Sequence, residues 1–245
     1  MSAEKVTLND KAAEFADTLT DLTRGVLGQG SPRFSALNVG DRIRVAPLAA
    51  DGRSMRIPVK IDGEQCISLH VQHFCCWDGP SKYLAADRAD VHVYFEGVQD
   101  PLFRYEYLRH SQTPPGAHLQ VHAHRDEMAY LLRLAEKKKG RPAAKMRKRK
   151  LPRLSEMHLP VGGHRLRPAL EDVLLLLIRE FAIDVADDWE GVLDRHLRQW
   201  RVVQLKSAVR DAHESAADAL REMGYSVEPP KGMEPQQKDS RLYWP

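Results

Sequence analysis

The sequence predicts an α+β protein, an antiparallel sheet meander with an N-terminal helix and a C-terminal helical layer. The middle of the chain alternates apolar and polar residues in short runs separated by turn signals, the two-residue period of half-buried strands. Both ends instead space their apolar residues at the period of helices. An antiparallel meander needs no crossover helices between its strands.

The elements follow in order. Ala12, Phe15, Ala16, Leu19, Leu22 and Val26 predict an amphipathic helix from about Leu8 to Leu27, ended by Gly28 and Gly30. From Asp41 the period changes: Ile43 and Val45, then Ile57, Val59 and Ile61 alternate with polar residues, and Asp62-Gly63 is a hairpin signal. The returning strand, Gln65 to Phe74, turns Ile67, Leu69 and Val71 inward and Cys66, Ser68, His70 and Gln72 outward. Strands at Val91–Glu96 and Leu102–Arg109 follow, and a second hairpin, closed by Ser111 to Gly116, leads into a strand from His118. Met128 to Lys138 reads as a short helix and Leu154 to Val161 as a strand. Leu170, Val173, Leu174, Leu177, Ile178 and Phe181 form a wide helical face with Pro168 in its first turn. A second helix, capped by Asp187 or Asp188 and broken once, carries Trp189, Val192, Leu193, Leu197, Trp200, Val203, Leu205, Ala208, Ala212 and Ala216. The expected organisation is a sheet domain at 1–165 with a basic insertion at 137–153, a helical layer at 166–227 and a mobile tail at 228–245.

In 245 residues the formal net charge is only +3, yet the basic residues are unevenly placed. Lys137, Lys138, Lys139, Arg141, Lys145, Arg147, Lys148, Arg149, Lys150 and Arg153 fall in one stretch without an acidic residue. Such a stretch displaces counterions from a polynucleotide, so RNA or DNA is its natural partner. Three cysteines, Cys66, Cys75 and Cys76, are read as packing thiols; with no apolar leader in the opening residues, the expected compartment is the cytoplasm. The longest apolar run, Val173–Ile178, is far short of the ~20 residues that span a bilayer, so no membrane is expected.

The chemistry points to the run His118-Leu-Gln-Val-His122-Ala-His124, which as a strand places three imidazoles and Gln120 on one face. Imidazole both donates and accepts protons near neutral pH and is the commonest metal ligand. His122 and His124, ~7 Å apart, can share a substrate; His118, ~20 Å from His124, cannot join them. Without metal or cofactor, one imidazole takes a proton from a nucleophile and another protonates the leaving group, while Arg104, Arg109 or Arg125 stabilises charge on phosphorus. With metal, the pair and a third ligand from His110, His158 or His164 make a zinc hydrolase for a small substrate. A third reading makes the basic segment the functional part of a non-enzymatic nucleic-acid-binding or adaptor protein. Phe103, Tyr105 and Tyr107 alternate on one strand as core, or as a stacking surface for bases.

The order Leu102-Phe-Arg-Tyr-Glu-Tyr, a Pro-containing turn, His122-Ala-His124, His158-Leu-Pro160 and Leu170-Glu-Asp-Val-Leu174-Leu resembles the TumE-type toxins of prokaryotic toxin–antitoxin systems over about residues 91–181. Leu159 stands where that family carries an aromatic residue. The resemblance implies growth inhibition restrained by an inhibitor protein, with His122, His124 and His158 as the site positions. The combined expectation is an RNA-directed phosphodiester site, a possible ribonuclease, built on His122, His124, His158, Arg104 and Arg125 and supplied with substrate by the basic segment.

Overall fold

The computed structural model describes residues 6–78, 82–111, 113–122, 159–161, 165–229 and 232. It is an α+β fold. Helix α1 (Leu8–Leu27) begins at a reciprocal cap: the Thr7 hydroxyl accepts from the Asp10 N–H at 3.2 Å, and the Asp10 carboxylate accepts from the Thr7 N–H at 2.8 Å. Ala12, Ala16, Leu19, Leu22 and Val26 form its buried stripe, and the chain leaves it through Gly28 at φ +96°, a conformation glycine adopts without steric cost.

The strands are β1 (Phe34–Val39), β2 (Arg42–Pro47), β3 (Ile57–Ile61), β4 (Glu64–Trp77), β5 (Leu84–Phe95), β6 (Phe103–Leu108), β7 (Ala117–Val121) and β8 (Leu159–Pro160). All their pairings are antiparallel. Sheet order is β1-β2-β4-β5-β6-β7-β8, with β3 also paired to β4. The long β4 shares one edge between two partners: β2 pairs with it around Val45↔His73, and β3 pairs around Ile57↔Leu69. Strand β1 is a correction to the sequence reading, which started the sheet at Asp41. It buries only Phe34, so hydrogen bonding to β2 defines it and no apolar alternation announces it.

Helices α2 (Leu170–Phe181), α3 (Trp189–Asp211) and α4 (His213–Glu222) close the described fold. Pro168 lies outside α2, not in its first turn; the helix starts after Ala169, whose N–H donates to the Asp172 carboxylate at 2.9 Å. The long C-terminal helix does break once, at Ala212. Val203 and Leu205, expected among its packing residues, are exposed instead. One continuous core joins α1, the inner face of β2 to β5, and α2 and α3, with Val45, Ile57, Leu69, Val93, Leu174, Leu177 and Leu193 all sealed from solvent. Each such side chain contributes on the order of 1.5–3 kcal/mol of burial free energy. Phe103 and Tyr105 pack against this core and Tyr107 is buried, so the aromatic stripe of β6 is a packing surface. Cys75 is buried too, and burial pushes its thiol up to about 12, leaving it inert.

Among the described residues no helix is long and apolar enough to cross a membrane. The helix expected at Met128–Lys138, the basic insertion and most of the tail from 228 lie outside them.

Candidate functional site

Antiparallel register turns scattered polar residues into a grid on the sheet face opposite the core. One rung runs His70↔His92↔Arg104↔Gln120 across β4 to β7; the next runs Gln72↔Asp90↔Glu106↔His118. Because side chains alternate along a strand, both rungs face the same way while Leu69, Val71, Val91 and Val93 face the core. Ser68↔Tyr94 begins a third rung above the first.

Glu106 is the hub. One carboxylate oxygen accepts from His92 Nε2 at 3.0 Å and the other from His118 Nε2 at 3.1 Å, while Arg104 Nη1 lies 3.6 Å away. Burial raises its pKa, but the hydrogen bonds from His118 and His92 and the charge of Arg104 outweigh that effect and hold it well below the usual carboxylate range. Arg104 also donates from Nε to Gln120 Oε1. Asp90, fully buried, accepts from Gln72 at 2.7 Å and from Arg88 at 2.8 Å. Here every buried charge has a partner, the condition under which a polar network stabilises a sheet.

His118 belongs to this scaffold. It is completely buried, and its Nδ1 faces the Pro115 carbonyl at 2.7 Å as its Nε2 faces Glu106. Both ring nitrogens face protein oxygens and the ring is sealed from solvent, so His118 presents no nitrogen to a substrate. Gln120 is equally buried. The sequence reading grouped these two residues on one face correctly but expected that face of β7 to be open.

The accessible chemistry lies at the other end of the first rung. His70 and His92 stand side by side, with ring centroids 5.5 Å apart. His92 Nε2 points at Glu106 and its Nδ1 lies 3.4 Å from the Tyr94 hydroxyl. His70 makes no hydrogen bond with the described residues; burial, then the neighbouring His92, lowers its pKa, favouring the neutral base. The exposed Arg56 stacks over Tyr94 at 3.6 Å and has no carboxylate within ion-pair distance among the described residues. Beside them, the Ser68 hydroxyl is buried without a partner.

Of the residues read from the sequence as catalytic, Arg104 lies in the grid and His122 at its margin. The His122 N–H donates to the Leu102 carbonyl at 2.9 Å, its Nε2 is buried without a partner among the described residues, and burial and then Arg104 lower its pKa. His124, Arg125 and His158 lie outside the described residues, as do Lys137, Lys138, Lys139, Arg141, Lys145, Arg147, Lys148, Arg149, Lys150 and the alternative ligand His164. His110 is exposed and faces Asp87 at 3.5 Å, and Arg109 donates to Cys76 at 3.3 Å; neither joins the grid. Missing from the sequence reading were His92, Asp90, Glu106 and a functional role for His70. Their signal was the alternation Asp90-Val-His92-Val-Tyr94 and a carboxylate between Tyr105 and Tyr107.

Asp90, His92 and Glu106 bring ligand atoms within 4.8 Å of one another. The donor set argues against a cation there, because Gln72, Arg88, Arg104 and His118 already donate toward those carboxylates and two of them carry positive charge. The zinc reading therefore gains nothing from this cluster. No family model matches the chain, and neither does any curated protein or solved structure.

Proposed function

We propose that the protein cleaves RNA by metal-independent proton transfer between imidazoles, at a site built on His70 and His92 and bordered by Arg56, Arg104 and His122. The observation that carries this is the His70–His92 pair, in which one imidazole makes no hydrogen bond among the described residues and the other is backed by the partly buried Glu106 carboxylate. Neutral His70 takes the proton of a ribose 2′-hydroxyl, whose oxygen attacks the adjacent phosphorus. The bond from phosphorus to the 5′-oxygen breaks, and His92 gives that oxygen a proton from Nδ1. Glu106 on Nε2 fixes the ring and stabilises the imidazolium, the role a buried carboxylate plays behind a catalytic histidine. Arg56, with no carboxylate within ion-pair distance among the described residues, meets the phosphate. The products are a 2′,3′-cyclic phosphate and a 5′-hydroxyl. The basic stretch from Lys137 to Lys150 gathers the polyanion, and a toxin-like role restrained by an inhibitor protein completes the reading.

A defined single-stranded RNA tests it, with product ends read by phosphatase sensitivity. Wild-type protein gives cyclic-phosphate ends in the presence of chelator, and RNA carrying a 2′-deoxy residue at the cleaved position is inert. His70→Ala and His92→Ala each lower the rate by roughly 10²–10⁴ while the folded spectrum is retained. Full activity in either folded variant, or loss of activity on chelation, rejects the mechanism.

A second reading has one observation in its favour. The inner rungs of the grid are self-neutralised, as a purely architectural network would be, which suits a non-enzymatic binding module. RNA retention without cleavage, with a salt dependence flattened by replacing the 137–150 cations, selects that reading.

A further inference from the structure

The outer face of α3 carries a feature that the sheet chemistry does not use. Its inner face buries Leu193, His196, Leu197, Gln204 and Asp211. Outward, Arg195, Arg198, Val202, Leu205 and Val209 follow one another at spacings of three, four, three and four residues, the seam of a coiled coil with valine at one core position and leucine at the other. No described element covers it: Val202 is 40 %, Leu205 64 % and Val209 43 % exposed. Helix α4 and the residue that caps its end continue the apolar exposure with Leu220 at 39 % and Met223 at 73 %, and the helix itself buries no residue.

Charge selects the occupant. Arg195, Arg198, Lys206 and Arg210 border or enter the seam, while Arg201 beside them already faces the Asp172 carboxylate at 3.5 Å. The one acid from 195 to 211 is Asp211, which is buried and bound to Arg165 at 2.6 Å. A second copy would set cation against cation in either orientation, and like charges across a two-helix seam oppose pairing. Phosphate backbones would satisfy the cations but leave three apolar side chains in water. We infer that this face docks an acidic amphipathic helix of another protein, its apolar stripe on Val202, Leu205 and Val209 and its carboxylates on Arg198, Lys206 and their neighbours.

The test titrates the full-length protein into two labelled synthetic helices of three heptads with the same Val/Leu seam, one flanked by glutamates and the other by lysines. Fluorescence anisotropy is expected to show binding of the glutamate-flanked helix alone, weakening as salt is raised. Val202→Asp with Leu205→Asp lowers that affinity by roughly tenfold or more. The charge-reversed variant, Arg198→Glu with Lys206→Glu, changes surface residues only and transfers preference to the lysine-flanked helix, which a misfolded protein cannot do. Equal binding of both helices, binding of neither, a wild-type dimer in sedimentation that Leu205→Asp disperses, or displacement of the helix by a single-stranded RNA would each overturn the inference.

Discussion

On the helix-covered face of the sheet, β4 and β5 present Ile67, Leu69, Val71, Val91 and Val93 to the core, whereas one residue along each strand the opposite face carries Gln72, Asp90 and His92 in a hydrogen-bonded grid with His70 beside it. The first face is held by area and packing, which accumulate residue by residue. The second is held by reciprocal donors and acceptors, where removing one member strands the others. A single sheet thus combines a tolerant side with an intolerant one.

The largest effect expected from breaking this contrast is at Glu106. Glu106→Ala removes the carboxylate that His118 Nε2, His92 Nε2 and Arg104 face, so unfolding free energy should fall by about 3–5 kcal/mol in urea titration. His118→Gln in the same background should cost far less than it does in wild type, and strict additivity would show that no network exists. On the dry face, Leu69→Ala should cost about 2–5 kcal/mol through lost burial and a residual cavity. That loss should add to the Glu106 loss wherever the two faces act independently.

The contrast sharpens with pH, because two titratable groups intrude into buried surroundings. His73 packs edge-on against Phe15 with its Nδ1 buried and unpartnered, and burial pushes its pKa down from 6.5 to about 4. The unfolded chain takes up that proton first, so this group's contribution falls as pH drops from about 6.5 to about 4. Burial raises the Glu171 carboxyl from 4.5 to about 7, so its contribution is complete below about 4.5 and lost as pH rises through about 7. Each amounts to about 3 kcal/mol at most, and over their shared window the two slopes oppose. Urea midpoints should therefore rise with pH in Glu171→Gln and fall with pH in His73→Leu; parallel slopes in the two variants contradict the assignment. The smallest effect belongs to Asp17→Ala, since the Arg33–Asp17 pair at 2.7 Å has both side chains more than half exposed and is worth about 0–1 kcal/mol.

How far the sequence revealed this architecture depends on how local each determinant is. Helix α1 was legible because its apolar stripe and the glycines that end it lie within one segment, and the Thr7 cap that the structure adds lies beside them. The β3–β4 turn was legible from Asp62-Gly63, although its support was not: Asp184 accepts from the Asp62 and Gly63 N–H groups at 2.9 and 2.7 Å from far along the chain. Alternation shows which residues share a face, not which face is closed, and so His118 read as lying on an open face when it is a buried strut. His70 and His92 meet through register between strands, which no pattern within either strand specifies.

The divided edge of β4 has a consequence for how recognition can vary. Residues 48–56 leave the sheet where β2 ends and return where β3 begins, and this excursion delivers Arg56 onto Tyr94. A surface connection that is anchored at both ends and closed largely on itself, by the Leu48–Ser54 bridge and the Ala49 N–H to Arg53 carbonyl bond, can be lengthened, shortened or rewritten while the strands beside it keep their register. Under the proposed function, substrate preference can thus drift through this gap while His70 and His92 stay fixed.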